Sequence, residues 1–177
     1  MIGAWNRLEE QEYRAVWDEF YSRFQFVPSG GRPERAIREP SPSVTFDISQ
    51  VWDASRPGHS DAAIRAVDAS ARRAFLAGFG EDVELLILDW QHDAFRLRPG
   101  DEVPAPTGGD GFPLLPTVVP DGDYYIYATL DLAEGTFGHP WEESLCVFGP
   151  IMSRTLGAEL RTWLPVLREQ RDGQPIG

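Results

Sequence analysis

Apolar residues recur along this chain with two periods, and the switch between them outlines the fold. Tyr13, Val16, Trp17, Phe20 and Phe24 recur at helical spacing over residues 8–24, with Glu9, Glu10, Glu12 and Arg14 mainly off that stripe. This is an amphipathic helix with one aromatic face turned to a core. Pro28, Gly30, Gly31, Pro33, Pro40 and Pro42 then make residues 26–43 irregular. Val44, Phe46 and Ile48 alternate with Thr45 and Asp47, which is the period of a short strand, and Trp52 follows it. A second helix opens at Ser60, whose hydroxyl can cap a free first-turn amide. It buries Ile64, Val67, Ala71, Ala74 and Phe75, and Gly78 and Gly80 supply its stop.

From residue 82 the pattern turns to strands. Leu85, Leu86, Ile87 and Leu88 run without a polar break, as in a central strand covered on both faces. Asp89 and Asp93 bracket Trp90, Gln91 and His92, which reads as a turn between two strands. Residues 100–119 are dense in proline and glycine, and a loop of that length is expected to move near residues 100–111. The pair Asp121 and Gly122 marks a tight turn before a strand that alternates Tyr124, Ile126, Ala128 and Leu130 with Tyr125, Tyr127 and Thr129. Residues 135–141 read as a loop, and residues 144–148 as a strand. Met152, Leu156, Leu160, Trp163, Leu164 and Leu167 recur at helical spacing, with Pro165 expected to end or kink that helix near Leu164. The tail from about residue 170 is expected to fray.

Neighbouring strands with short connections pair antiparallel, and helices segregated from strands indicate an α+β fold. The expectation is one domain over residues 1–177: a mostly antiparallel sheet with helices packed mainly on one face. The 6 Trp, 10 Phe and 5 Tyr point to an aromatic-heavy core.

Charge changes the picture more than composition does. The net charge is −12, and residues 81–150 hold only Arg96 and Arg98 against 14 acidic residues. The whole excess therefore lies in that segment. Such a field repels phosphate backbones and argues against nucleic acid. It attracts a basic protein partner, or else simply keeps the surface solvated. The single Cys146 excludes an internal disulfide, and no leader-like or membrane-length apolar run is present, so a cytoplasmic protein away from membranes is expected. Oligomeric state is not legible.

Candidate chemistry centres on two of the three histidines. Asp89, Asp93, Asp123, Glu142 and Glu143 lie near His92 and His139 in sequence, and His139, Asp123, His92 and Glu142 are the candidate catalytic residues, since a histidine and a carboxylate can act as acid and base. Two histidines and a carboxylate could also hold a divalent ion. No HExxH or HxH spacing and no closed Cys/His set is present, so neither a metal nor a cofactor is expected. The plain alternatives are that His139 bonds to backbone and fixes its turn, and that His92 is a turn residue. Tyr125, Tyr127, Trp141, Glu143 and Asp121 are candidate binding residues. Cys146 sits in an apolar strand pattern, where thiols are inert core residues.

Four pieces carry a resemblance. WDEFYSRFQFVPS at residues 17–29, LDWQH at 88–92, PDGDYYIY at 120–127 and GTFGHPWEESLCVFG at 135–149 resemble a bacterial domain-of-unknown-function family, family 2716, common in actinobacteria. The resemblance spans about residues 16–156 and implies a stand-alone bacterial protein. It brings no reaction, cofactor or catalytic residue. The functional expectation therefore rests on charge and on the lack of a catalytic motif. It is a non-enzymatic protein-binding or regulatory module, immunity-like by analogy with small acidic inhibitors of basic nucleases. The alternative is a small enzyme or ligand-binding protein with its site at the Gly138-His139-Pro140-Trp141-Glu142 loop.

Overall fold

The structure, a computed structural model, describes residues 5–52, 55, 58–101 and 116–171. The segment expected to move near residues 100–111 and the tail expected to fray fall largely outside these. The chain runs β1 (Trp5–Arg7), α1 (Glu10–Phe24), β2 (Ser43–Asp47), a short 3-10 turn, and α2 (His59–Phe79). It continues through β3 (Leu85–Asp89), β4 (Ala94–Leu97), β5 (Tyr125–Thr129), β6 (Gly135–His139) and β7 (Ser144–Phe148). It closes with α3 (Pro150–Arg154), α4 (Leu156–Leu160) and β8 (Val166–Gln170).

The strands form one 8-stranded sheet in the order β1-β4-β3-β5-β6-β7-β2-β8. Every pairing in it is antiparallel. This is the expected α+β architecture. Strand alternation sends Val44, Phe46, Leu85, Leu145 and Val147 to one face, where α2, α3 and α4 cover them with Val67, Phe75, Met152, Leu156 and Leu160. Leu86, Leu88, Ile126, Phe137, Cys146 and Phe148 point to the other face, which receives α1. Among the described residues, three of the four α-helices thus share a face, and α1 covers the opposite one.

That lone helix works through aromatics. Phe20 stacks on Phe24 at 4.6 Å between centroids, and Phe24 meets Phe148 edge-on at 5.2 Å. Each fully buried Phe contributes about 1.5–3 kcal/mol by leaving water, so the stripe read from residues 13–24 anchors this whole layer. Gln25 in the left-handed conformation (φ 48) ends the helix.

The structure departs from the sequence reading at several places. Ser60 does not cap α2. The chain enters through Gly58 (φ 75) at the N-cap, which puts Ser60 inside the first turn. Residues 135–139, read as a loop, form β6, the strand between β5 and β7. Its glycines reflect crowding: a Cβ on Gly135 would overlap the Tyr127 carbonyl, and one on Gly138 would sit 2.8 Å from Pro120 Cδ. The last helix is broken in two at Thr155, and residues beyond Pro165 turn back as edge strand β8 against β2. Leu167 and Trp163 are exposed rather than part of a buried stripe. The entry to α3 is held from outside: Glu134 accepts hydrogen bonds from the Ile151 and Met152 amides. Gly149 (φ 92) lets the backbone pass, since a side chain there would overlap the Glu134 carboxylate.

Candidate functional site

The end of the sheet where β3 and β6 finish, and where β4, β5 and β7 begin, gathers nearly all the candidate residues. The β3–β4 hairpin turns over Asp89 to His92. Gln91 takes the left-handed conformation (φ 67), and the His92 amide donates to the Asp89 carbonyl at 3.1 Å. That turn brings the His92 ring back over the Asp89 carboxylate, Nδ1 to Oδ1 3.0 Å. Ladder pairing of Asp89 with Tyr125 brings the preceding turn alongside. Asp123 there lies with Oδ2 3.6 Å from the same His92 nitrogen, while its Oδ1 accepts the Tyr124 amide at 2.7 Å. Tyr125 donates its hydroxyl to Asp121.

Asp89, His92, Asp121, Asp123 and Tyr125 are therefore one cluster. The Asp89 and Asp123 side chains are 19% and 17% exposed, and His92 is 63% exposed. Burial raises the Asp89 carboxyl to about 6, outweighing the lowering effect of His92, with Asp123 and Asp121 pushing the same way. Asp123 is raised too, chiefly by burial. The hydrogen bond to Asp89 raises His92. Tyr125 is raised by burial and by the Asp121 carboxylate it bonds to. Beside the cluster a cavity of about 510 Å³ is lined by His92 together with Arg7, Glu9, Glu10, Tyr13 and Asp93.

His139 is not part of this cluster. It is fully buried, its Nε2 donates to the Glu34 carbonyl at 2.8 Å, and its Nδ1 accepts the Glu142 amide at 3.1 Å. Both ring nitrogens are thus spent on backbone. Burial lowers its pKa, which fits the neutral ring these two bonds require. Tyr124 (4.9 Å between centroids) packs against it edge-on, and Trp141 packs on Tyr124 at 5.0 Å.

Glu142 belongs to a separate network that sequence reasoning missed. Arg168 of β8 grips Glu142 with two parallel bonds of 2.8 Å and reaches Glu39 through Nε at 2.6 Å. Thr45 donates to Glu39, and Ser144 to Glu142. Burial opposes ionisation of Glu142, but Arg168 and Ser144 hold its carboxyl below the usual range. No local pattern links residues 39, 142 and 168. Tyr127 is turned inward, its hydroxyl donating to the Pro116 carbonyl at 2.6 Å, and Glu143 is exposed in the β6–β7 turn. Cys146 is buried in β7, and burial pushes its thiol up to about 12, the setting of an inert core thiol.

From the sequence, Asp89 is placed near the candidate histidines but not counted among the candidate site residues. Its spacing of three from His92 across a tight turn is the signal that could have found it.

The fold and this acidic strand-end define a single-sheet α+β protein. The chain belongs to the family described as Protein of unknown function (DUF2716), whose model matches residues 7–152. It is similar to the Uncharacterized protein YxiI of Bacillus subtilis (strain 168). The two are 32% identical over 147 residues, which is 82% of this chain and 87% of that protein. No solved structure matches it. The family match ends inside α3 and so includes Asp89, His92 and Asp123 but not Arg168. No helix among the described residues is long and apolar enough to cross a membrane.

Proposed function

We propose that this protein acts in the cytoplasm by binding, and that the strand-end bearing Asp89, Asp121 and Asp123 meets a basic protein partner. The observation that supports this reading is a contrast in neutralisation. Glu12, Glu39, Glu84, Glu142, Glu159 and Glu169 each carry an arginine within 4.0 Å. Among the described residues, Asp89 and Asp123 carry only the exposed His92. Carboxylates held together without a fixed counter-charge present an attractive field to a cationic surface. No observation favours the alternative of an enzyme at the His139 loop, since that imidazole has no free nitrogen to offer a substrate.

The experiment is capture from the source cell at low and high salt, followed by association kinetics on the basic protein retained. Replacing Asp89, Asp121 and Asp123 together by Asn should slow association several-fold and flatten its dependence on salt. Dissociation should change little, because rim charges act on encounter. An association rate indifferent both to salt and to the triple substitution removes this face from the mechanism.

A further inference from the structure

The same strand-end has a second property, which does not rest on the partner reading. One ligand atom from each of Asp89, His92 and Asp123 lies within 4.8 Å of the other two. The imidazole nitrogen stands 3.0 Å from Asp89 Oδ1 and 3.6 Å from Asp123 Oδ2. Two ligands bound at ~2.1 Å to one ion lie roughly 3.0 Å apart in octahedral geometry and ~3.4 Å apart in tetrahedral geometry. The two spacings to the histidine bracket those values and the two carboxylates lie within 4.8 Å of each other, so side-chain rotation would have to draw them onto one ion. Two segments supply the donors: the hairpin turn fixes Asp89 and His92 together, and the ladder from β3 to β5 sets Asp123 beside them. The carboxylates are mostly buried while the histidine faces solvent, so an ion could enter from the His92 side.

We infer that Asp89, His92 and Asp123 form a binding site for a single divalent transition ion of the Mn2+ to Zn2+ class. One nitrogen and two carboxylate donors suit such ions better than Ca2+, which takes six to eight oxygens. An ion at this point supplies the positive charge that no arginine among the described residues supplies to these two carboxylates. His92, the exposed donor, also borders a cavity of about 510 Å³ that Asp89 and Asp123 do not line, so solvent reaches the cluster from the histidine side. This is an open site with three protein donors, the form in which a metal retains exchangeable positions.

The test uses the full chain in chelator-treated buffer with Mn2+ as the probe. Free Mn2+ is followed by electron paramagnetic resonance, and protein signals by NMR broadening. One equivalent should bind at micromolar concentration, with broadening strongest at His92, Asp89 and Asp123 and falling off with distance toward the far end of the sheet. His92→Ala and Asp123→Asn should each weaken binding at least tenfold. His59→Ala, which alters a partly buried histidine at the start of α2 and outside the cluster, should leave it unchanged. His92→Ala alters an exposed side chain and Asp123→Asn replaces a mostly buried carboxylate by a group of the same shape, and their amide spectra report folding directly. Ca2+ should fail to displace the bound Mn2+ at equal concentration. Absence of saturable binding overturns the inference. So does binding that survives both substitutions, or broadening centred away from His92. Because no partner protein is present, these outcomes are separate from success or failure of the association experiment.

Discussion

Two carboxylate clusters stand at the same end of one sheet, and they differ in what neutralises them. Glu39 and Glu142 are closed around Arg168, whose charge is permanent and whose planar fork makes three short bonds. Asp89 and Asp123 meet only an imidazole, whose charge depends on pH. The pKa directions follow: Glu142 is held low despite burial, whereas Asp89 and Asp123 are pushed up by it. The first cluster has its charge compensated by a fixed cation, although Glu39 Oε2 is buried without a hydrogen-bond partner. The second lacks counter-charge and lies at the surface. Acidic residues are common on this chain, so the position of the arginines is what separates structure from candidate function.

The comparison breaks first at Arg168. Removing its side chain leaves two buried carboxylates without a cation, so Arg168→Ala should cost about 3–5 kcal/mol in urea unfolding. Arg168→Lys should recover only part of this, because an ammonium cannot reproduce the two parallel bonds to Glu142. A cost under ~1 kcal/mol for Arg168→Ala would place this network on the same footing as an exposed ion pair. The proposed contrast would then have no energetic content.

The buried histidine gives the next effect. His139→Ala strands the Glu34 carbonyl and the Glu142 amide and opens a hole among Tyr124, Phe137 and Trp141. Two unpaired, partly buried backbone groups and a cavity together should cost roughly 2–4 kcal/mol by denaturant melt. Unchanged stability with altered ligand binding would reverse its assignment as a structural residue.

Asp68 sharpens the comparison from a third position. It is largely buried, with no arginine within 4.0 Å among the described residues, and it accepts the Val118 amide at 2.8 Å. Burial raises it to about 6 from 3.8, so the fold favours its neutral form. A raised acid contributes stability below its unfolded pKa, and that contribution is lost as pH climbs through the folded value. Asp68→Asn keeps an acceptor for Val118 without the charge. It should match the native chain near pH 4 and exceed it by about 1–3 kcal/mol at pH 8. Asp89 titrates in the same window in both proteins, so the difference between them isolates Asp68. An Asn variant less stable at pH 8 would mean that the charged form is held by a counter-charge.

The parts of this molecule written in local periodicity were legible. Trp17, Phe20 and Phe24 face the core as their spacing requires, and so do Leu85 to Leu88 and Val147. The elements missed depend on distant partners. Three residues, Trp5 to Arg7, show no alternation and form a strand because the edge of β4 is there to pair with. Two glycines disguised β6 as a loop, although they mark close backbone approach inside the sheet. Leu167 kept to the helical spacing beyond the expected stop at Pro165, and the strand partner of residues 166–170, β2, lies over a hundred positions away. The candidate site divided in the same manner. His92 and Asp123 were named and do meet, because a hairpin and one ladder join them. His139 carried the stronger sequence signal and proved to be held by the Glu34 carbonyl, 105 residues away.

The smallest expected effect is the most discriminating, because it separates the two histidines. His92 is 63% exposed, and its polar partners are the two carboxylates beside it and the amide turn beneath. The turn itself is closed by backbone, with Gln91 at φ 67 and the His92 amide on the Asp89 carbonyl, and neither needs the imidazole. In metal-free buffer at neutral pH, His92→Ala should therefore change stability by no more than about 0.5 kcal/mol, the range of surface substitutions. Side-chain ion pairs at such exposure contribute little once solvent screens them. With Mn2+ present the native chain should gain stability by mass action and the Ala variant should not, so the two should separate as the ion is added. A loss above ~2 kcal/mol without metal would make His92 a structural residue like His139. The open cluster would then be as closed as the one around Arg168.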